Sequence, residues 1–147
     1  MRLIFTKREG KHDDLVIERA GHAPETISNP KQGIIPHDMV HYAVESRLSH
    51  PGFLSLVAEG QAAGFAAAGG DSEEAIERLV ETFQAEMWGG RVAAADLLAT
   101  YAHACAARGH AAAPVSDADV QAIRGTLDEL SEQWRQLPLN GSLTLEL

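Results

Sequence analysis

Six large apolar residues, Val120, Ile123, Leu127, Leu130, Trp134 and Leu137, follow one another at intervals of three, four, three, four and three. On a helix this spacing stacks them into one seam, and a seam of that width cannot be left in water. It is too short for a free coiled coil. It must therefore be covered antiparallel by the rest of the chain or by a partner chain. Pro114 and the Ser116 cap introduce the helix, and Leu137-Pro138-Leu139-Asn140-Gly141 breaks it. The pattern predicts a helix over 117–136.

The two ends of the chain carry a different period. Residues 2–7 alternate loosely, a polar turn with Gly10 follows, and residues 14–19 alternate again, which predicts a hairpin within residues 1–20. Residues 142–147 (Ser-Leu-Thr-Leu-Glu-Leu) alternate cleanly and predict a last strand beside that hairpin. The expected fold is α+β: a small antiparallel sheet, N-terminal hairpin plus C-terminal strand, packed on one face against about five helices. Residues 21–35, punctuated by Gly21, Pro24, Asn29, Pro30 and Gly33, are expected to form a surface connection.

Between these ends lies a helical body, 36–137. Pro36 suits the first turn of a helix running to about residue 48. Ser49-His50-Pro51-Gly52 stops it, and Phe53, Leu54, Leu56 and Val57 begin another. The Ala/Gly-rich run 60–70 suits either a closely packed helix or a loop. Asp71-Ser72-Glu73-Glu74 is an acidic helix start, followed by Ile76, Leu79, Val80, Phe83 and Met87 at helical spacing and by the stop Gly89-Gly90. A helix over 91–108 would bury Val92, Leu97, Leu98, Tyr101 and Cys105. Trp88 and Trp134 are expected as packing anchors, and Cys105 as a small buried hydrophobe.

With 147 residues the chain suits one domain, 1–147. A formal charge of −9 argues against nucleic acid and anionic membranes as partners. A single cysteine excludes an internal disulfide and fits a reducing, cytoplasmic setting. No signal peptide is readable after Met1, and no apolar run approaches a membrane span.

Chemically able side chains fall at a meaningful spacing in one stretch only, the helix after Pro36, where His37, His41 and Glu45 recur every fourth residue. At about 100° per residue, Met39, Val40, Ala43, Val44 and Leu48 form the core-facing arc, with His37 inside it and His41 at its edge. Asp38 and Glu45 lie just beyond. Arg47 also lands in the arc and calls for an acidic partner, with Glu59 and Asp96 as candidates.

Two histidines at i and i+4 can chelate one divalent ion. Glu45 is eight residues from His37, about 12 Å along the helix, so no ion touches both. The workable sets are His37 with His41, or His41 with Glu45, plus a third ligand from elsewhere; Glu59, Glu86, Asp96 and His103 are candidates.

His37-Asp38-Met39-Val40-His41 resembles the zincin His-Glu-x-x-His, in which the carboxylate activates water at zinc. Here the acid is one methylene shorter, and Arg47 stands where one zincin branch continues with histidine. The same five residues are similar to the His-Asp-x-x-His helix of a ubiquinone-biosynthesis accessory family, which implies zinc; Phe53 stands where that family has glutamate. The wider layout, a hairpin, then Pro-His-Asp-x-x-His-Tyr-x-Val-Glu, then Gly52 to Gly60, resembles an uncharacterised family of small bacterial proteins.

Two functions are therefore expected to compete. The first is a non-catalytic binding or self-assembly module, homo-oligomeric through helix 117–136 or an exposed strand edge. The second is a hydrolase or lyase dependent on zinc or another divalent metal, with His37 and His41 as ligands and Asp38 or Glu45 as general base. In the blander case the histidines are structural, His41 and Glu45 forming an ordinary i,i+4 pair.

Overall fold

A computed structural model describes residues 1–48, 52–60 and 70–147. The elements are β1 (Arg2–Thr6), β2 (His12–Glu18), β3 (Glu25–Pro30), α1 (His37–Arg47), α2 (Phe53–Ala58), α3 (Asp71–Gly89), α4 (Ala94–Ala107), α5 (Asp117–Gln136) and β4 (Ser142–Glu146). The four strands form one antiparallel sheet in the order β3-β2-β1-β4. This is the α+β fold expected, with the C-terminal strand closing on the first one.

Register explains the sheet's two faces. Leu3 stands opposite Ile17 and Leu145, and Phe5 opposite Leu15 and Leu143. Ile27 pairs with Leu15 from the other side. Directly opposed residues share a face, so these side chains make one apolar surface. Leu3, Phe5, Leu15 and Ile17 are completely covered by the helices.

α1 is the element against which α2, α3 and α5 all pack. Met39, Val40, Ala43 and Val44 are fully buried in it. The seam of α5 is used inside the chain: Val120, Ile123, Leu127, Leu130 and Trp134 all belong to the same core. Ser116 caps α5, accepting from Asp119 N while Asp119 accepts from Ser116 N. A buried bidentate pair, Arg124 to Glu86 at 2.8 and 2.6 Å, ties α5 to α3, and Arg124 also reaches the Val92 carbonyl.

Several expectations are corrected. The connection 21–35 contains a strand, β3. Thr26 and Ile27 are β-branched and alternate correctly, while the flanking Gly21, Pro24 and Pro30 disguise so short a run; Pro30 is tolerated because β3 is an edge. Arg47 is exposed and bonds Asp119 at 3.1 Å, not Glu59 or Asp96, because the N-terminus of α5 lies beside the end of α1. Trp88 is 55% exposed and anchors by its indole N–H to the Gln32 carbonyl, whereas Trp134 is buried as expected. α4 starts two residues beyond Val92, which is left exposed. Cys105 is buried, and burial pushes its thiol pKa up. The turn assigned to His50 and most of the Ala/Gly-rich run lie outside the described residues. Among those described, no helix is long and apolar enough to cross a membrane.

Candidate functional site

α1 and α3 run side by side, and their contact carries the site. His37 and His41 project from consecutive turns of α1; Glu77 projects from α3. His41 Nε2 is 2.7 Å from Glu77 Oε2, His37 Nε2 is 3.3 Å from Glu77 Oε1, and the two Nε2 atoms are 3.1 Å apart. The rings meet edge to face at 4.7 Å between centroids. Phe53 closes the far side of His41, 6.2 Å from its ring and nearly perpendicular.

The outward nitrogens are engaged as well. His41 Nδ1 is 2.9 Å from Glu45 Oε2. Glu45 also accepts from Leu54 N at 3.2 Å, Ser55 N at 3.1 Å and Ser55 Oγ at 3.2 Å. An ionised carboxylate is acceptor-only, so the Nδ1 proton must sit on His41. His37 Nδ1 is 3.0 Å from Gln84 Oε1, which also accepts from Gln32 Nε2 at 2.9 Å. The shared donor fixes the Gln84 amide oxygen toward His37, and the same reasoning puts that ring's proton on Nδ1.

With both Nδ1 atoms donating outward, both Nε2 lone pairs face one carboxylate. Three electron-rich atoms cannot meet at these distances without a cation among them. In the metal-free protein that cation is a proton on His41: burial opposes it, but Glu45 and Glu77 outweigh burial and raise the pKa to about 10. Glu77 is held well below the ordinary carboxylate range, because its bonds to His37 and His41 and their charge overcome burial. His37 is raised too, the bond to Glu77 winning against burial and against His41.

The same three atoms suit a divalent ion. Ligands on a tetrahedral ion at ~2.1 Å stand about 3.4 Å apart, so the observed spacings need only a small outward adjustment. Two imidazoles and a carboxylate, each His donating its other N–H, form the donor set and outer shell of zinc-type sites. Among the described residues, His37, His41 and Glu77 are the group of three able to hold a metal.

The expected residues are placed unequally. His37 and His41 come together, but with their exposures reversed: His41 is 2% exposed, while the His37 side chain is 39% exposed. α2 and α3 cover the His41 and Glu45 side of α1, which a helical wheel cannot foresee. Glu45 faces Nδ1, away from Glu77, so the set of His41 with Glu45 does not converge. None of the four proposed third donors is at the site: Glu86 pairs with Arg124, and Glu59, Asp96 and His103 are exposed. Asp38 is half-buried beside the group, its pKa raised by burial against the pull of His41 and His37.

Glu77 was missed because it follows the apolar stripe of α3 without interrupting it. Its companion Gln84, two turns on and 6% exposed, was the available signal: a buried amide needs a partner. Compared with family models, curated proteins and solved structures, the chain matches none.

Proposed function

We propose that the chain is a divalent-metal-dependent enzyme of the hydrolase or lyase type, with zinc as the natural ion, held by His37, His41 and Glu77. One observation carries this reading: His37, His41 and Glu77, from two helices, each bring a ligand atom within 4.8 Å of the others, while both histidines are already turned by acceptors behind them. Three protein donors leave a coordination position open, which is the catalytic rather than the structural pattern. The half-exposed His37 side gives that position access to solvent.

Zinc supplies Lewis acidity when bound. The chain's residues divide the remaining work. Glu45 carries four hydrogen bonds on two oxygens, so it orients His41 and has no free lone pair suited to a base's task. Asp38 has no hydrogen-bond partner among the described residues, and its pKa lies above the ordinary carboxylate value. It is the group assigned to accept a proton and return it.

Metal analysis of the purified protein, after dialysis against zinc, should give about one ion per chain, lost in H41A and E77Q. D38N should keep the ion and lose hydrolysis of activated esters. Failure of the wild type to retain zinc overturns the reading.

A further inference from the structure

We propose that Gly52 and the first turn of α2 are positioning elements of this centre, acting on His41 through Glu45; the inference rests on the metal reading above. Glu45 has a side chain only 1% exposed, and among the described residues no lysine or arginine bonds to it. Its charge is held by the two backbone N–H groups and the hydroxyl at the start of α2, and by His41. α2 therefore grips the carboxylate that fixes which nitrogen of His41 carries the proton.

Gly52 makes that grip sterically feasible. Its φ of −124° and ψ of −167° suit any residue, so glycine is not demanded by backbone conformation. It is demanded by space. A Cβ there would stand 2.4 Å from Glu45 Cδ, 2.5 Å from Oε1 and 2.8 Å from Cγ. A free surface carboxylate would swing aside. This one is pinned by four donors, so moving it breaks the bonds to Leu54 and Ser55 and releases the imidazole.

The test measures zinc affinity by competition with a chromogenic chelator, together with the rate at which the His41 Nδ1–H exchanges with water in NMR, slow while Glu45 accepts it. G52A should bind zinc roughly 10- to 100-fold more weakly, the usual consequence of disturbing a ligand's outer partner. In zinc-free G52A the His41 Nδ1–H should exchange faster than in the wild type, because Glu45 no longer accepts it. In an E45D background, where the carboxylate is withdrawn by one methylene, the G52A penalty should shrink at least about threefold, because the two sites then no longer collide.

Equal penalties in both backgrounds overturn the proposal, as does a folded G52A with unchanged affinity and Nδ1–H exchange. Should G52A fail to fold, S55A decides: it removes one Glu45 donor and should weaken zinc about threefold or more, and no change in affinity or Nδ1–H exchange overturns the proposal. A wild type that binds no zinc sinks the metal reading separately. The Nδ1–H exchange measurement still tests the α2–Glu45–His41 arm in that case.

Discussion

The two histidines of α1 are one turn apart and share one carboxylate, yet they are built into the protein in opposite ways. His41 is sealed between Glu45, Glu77 and Phe53, with a side chain 3% exposed. His37 is at the rim, steadied by an amide and only partly covered. The inner ring is held between two carboxylates, and the outer one by the shared carboxylate at longer range and by a neutral amide near solvent. Ligand strength and structural necessity should therefore separate: both rings are needed for the ion, but only one for the fold.

Truncating each ring tests this most severely. H41A leaves Glu45 a buried carboxylate without its cationic partner, and should cost about 3–5 kcal/mol in chemical denaturation. H37A removes a half-exposed ring with one amide bond and a longer, solvent-screened contact to Glu77, and should cost roughly 1 kcal/mol. Both should abolish zinc binding. Equal stability losses would erase the distinction between an inner and an outer histidine.

The pH dependence follows from the same asymmetry. In the unfolded chain His41 titrates near 6.5 and in the metal-free fold near 10. A raised pKa gives stability that is complete below the unfolded value and is lost as pH climbs through the folded one. Glu77 works oppositely: it is depressed from 4.5, so its contribution is present above that value and disappears as pH falls. Metal-free protein should therefore be most stable between about pH 5 and about pH 6.5 by urea denaturation, losing stability steadily from there to about pH 10. Zinc should flatten the alkaline limb, because it replaces the proton on Nε2. An alkaline loss that persists in H41Q would assign it to another group.

Zinc itself should raise the melting temperature. At free zinc 100-fold above its dissociation constant the gain is about 2.7 kcal/mol, or roughly 5–10 °C for a chain of this size. The rise should vanish in E77Q and on chelation, and no rise in the wild type would remove the ion from the argument.

How much of this was legible beforehand differs between elements. The α5 seam and the alternating C-terminal strand were readable because a period in sequence is a face in space, whatever packs on it. β3 was not, since six residues between Pro and Gly carry little periodicity. The histidine pair was readable from i,i+4 spacing alone. Glu77 was not, because a ligand from a second helix is set by how α1 and α3 cross. The reversal of His37 and His41 has the same origin: the wheel ranks α1's own faces, whereas burial depends on where α2 and α3 sit.

The smallest effect probes the outer ring's support. Gln84 accepts from His37 Nδ1 and from Gln32, whose carbonyl in turn accepts from the Trp88 indole. Q84L removes the acceptor with little change in size, so His37 loses its tautomeric preference while the inner ring keeps Glu45. Zinc affinity should fall about tenfold, less than for disturbance of the charged arm, since a neutral amide polarises an imidazole less than a carboxylate does. Stability should change by about 1 kcal/mol, partly offset by burying leucine where a polar group was. Because Gln32 loses one of its anchors, Trp88 emission should also shift in Q84L and stay unchanged in E45D. If Q84L weakens zinc as much as loss of the Glu45 arm does, the outer histidine is held as firmly as the inner, and the ion's position depends on both equally.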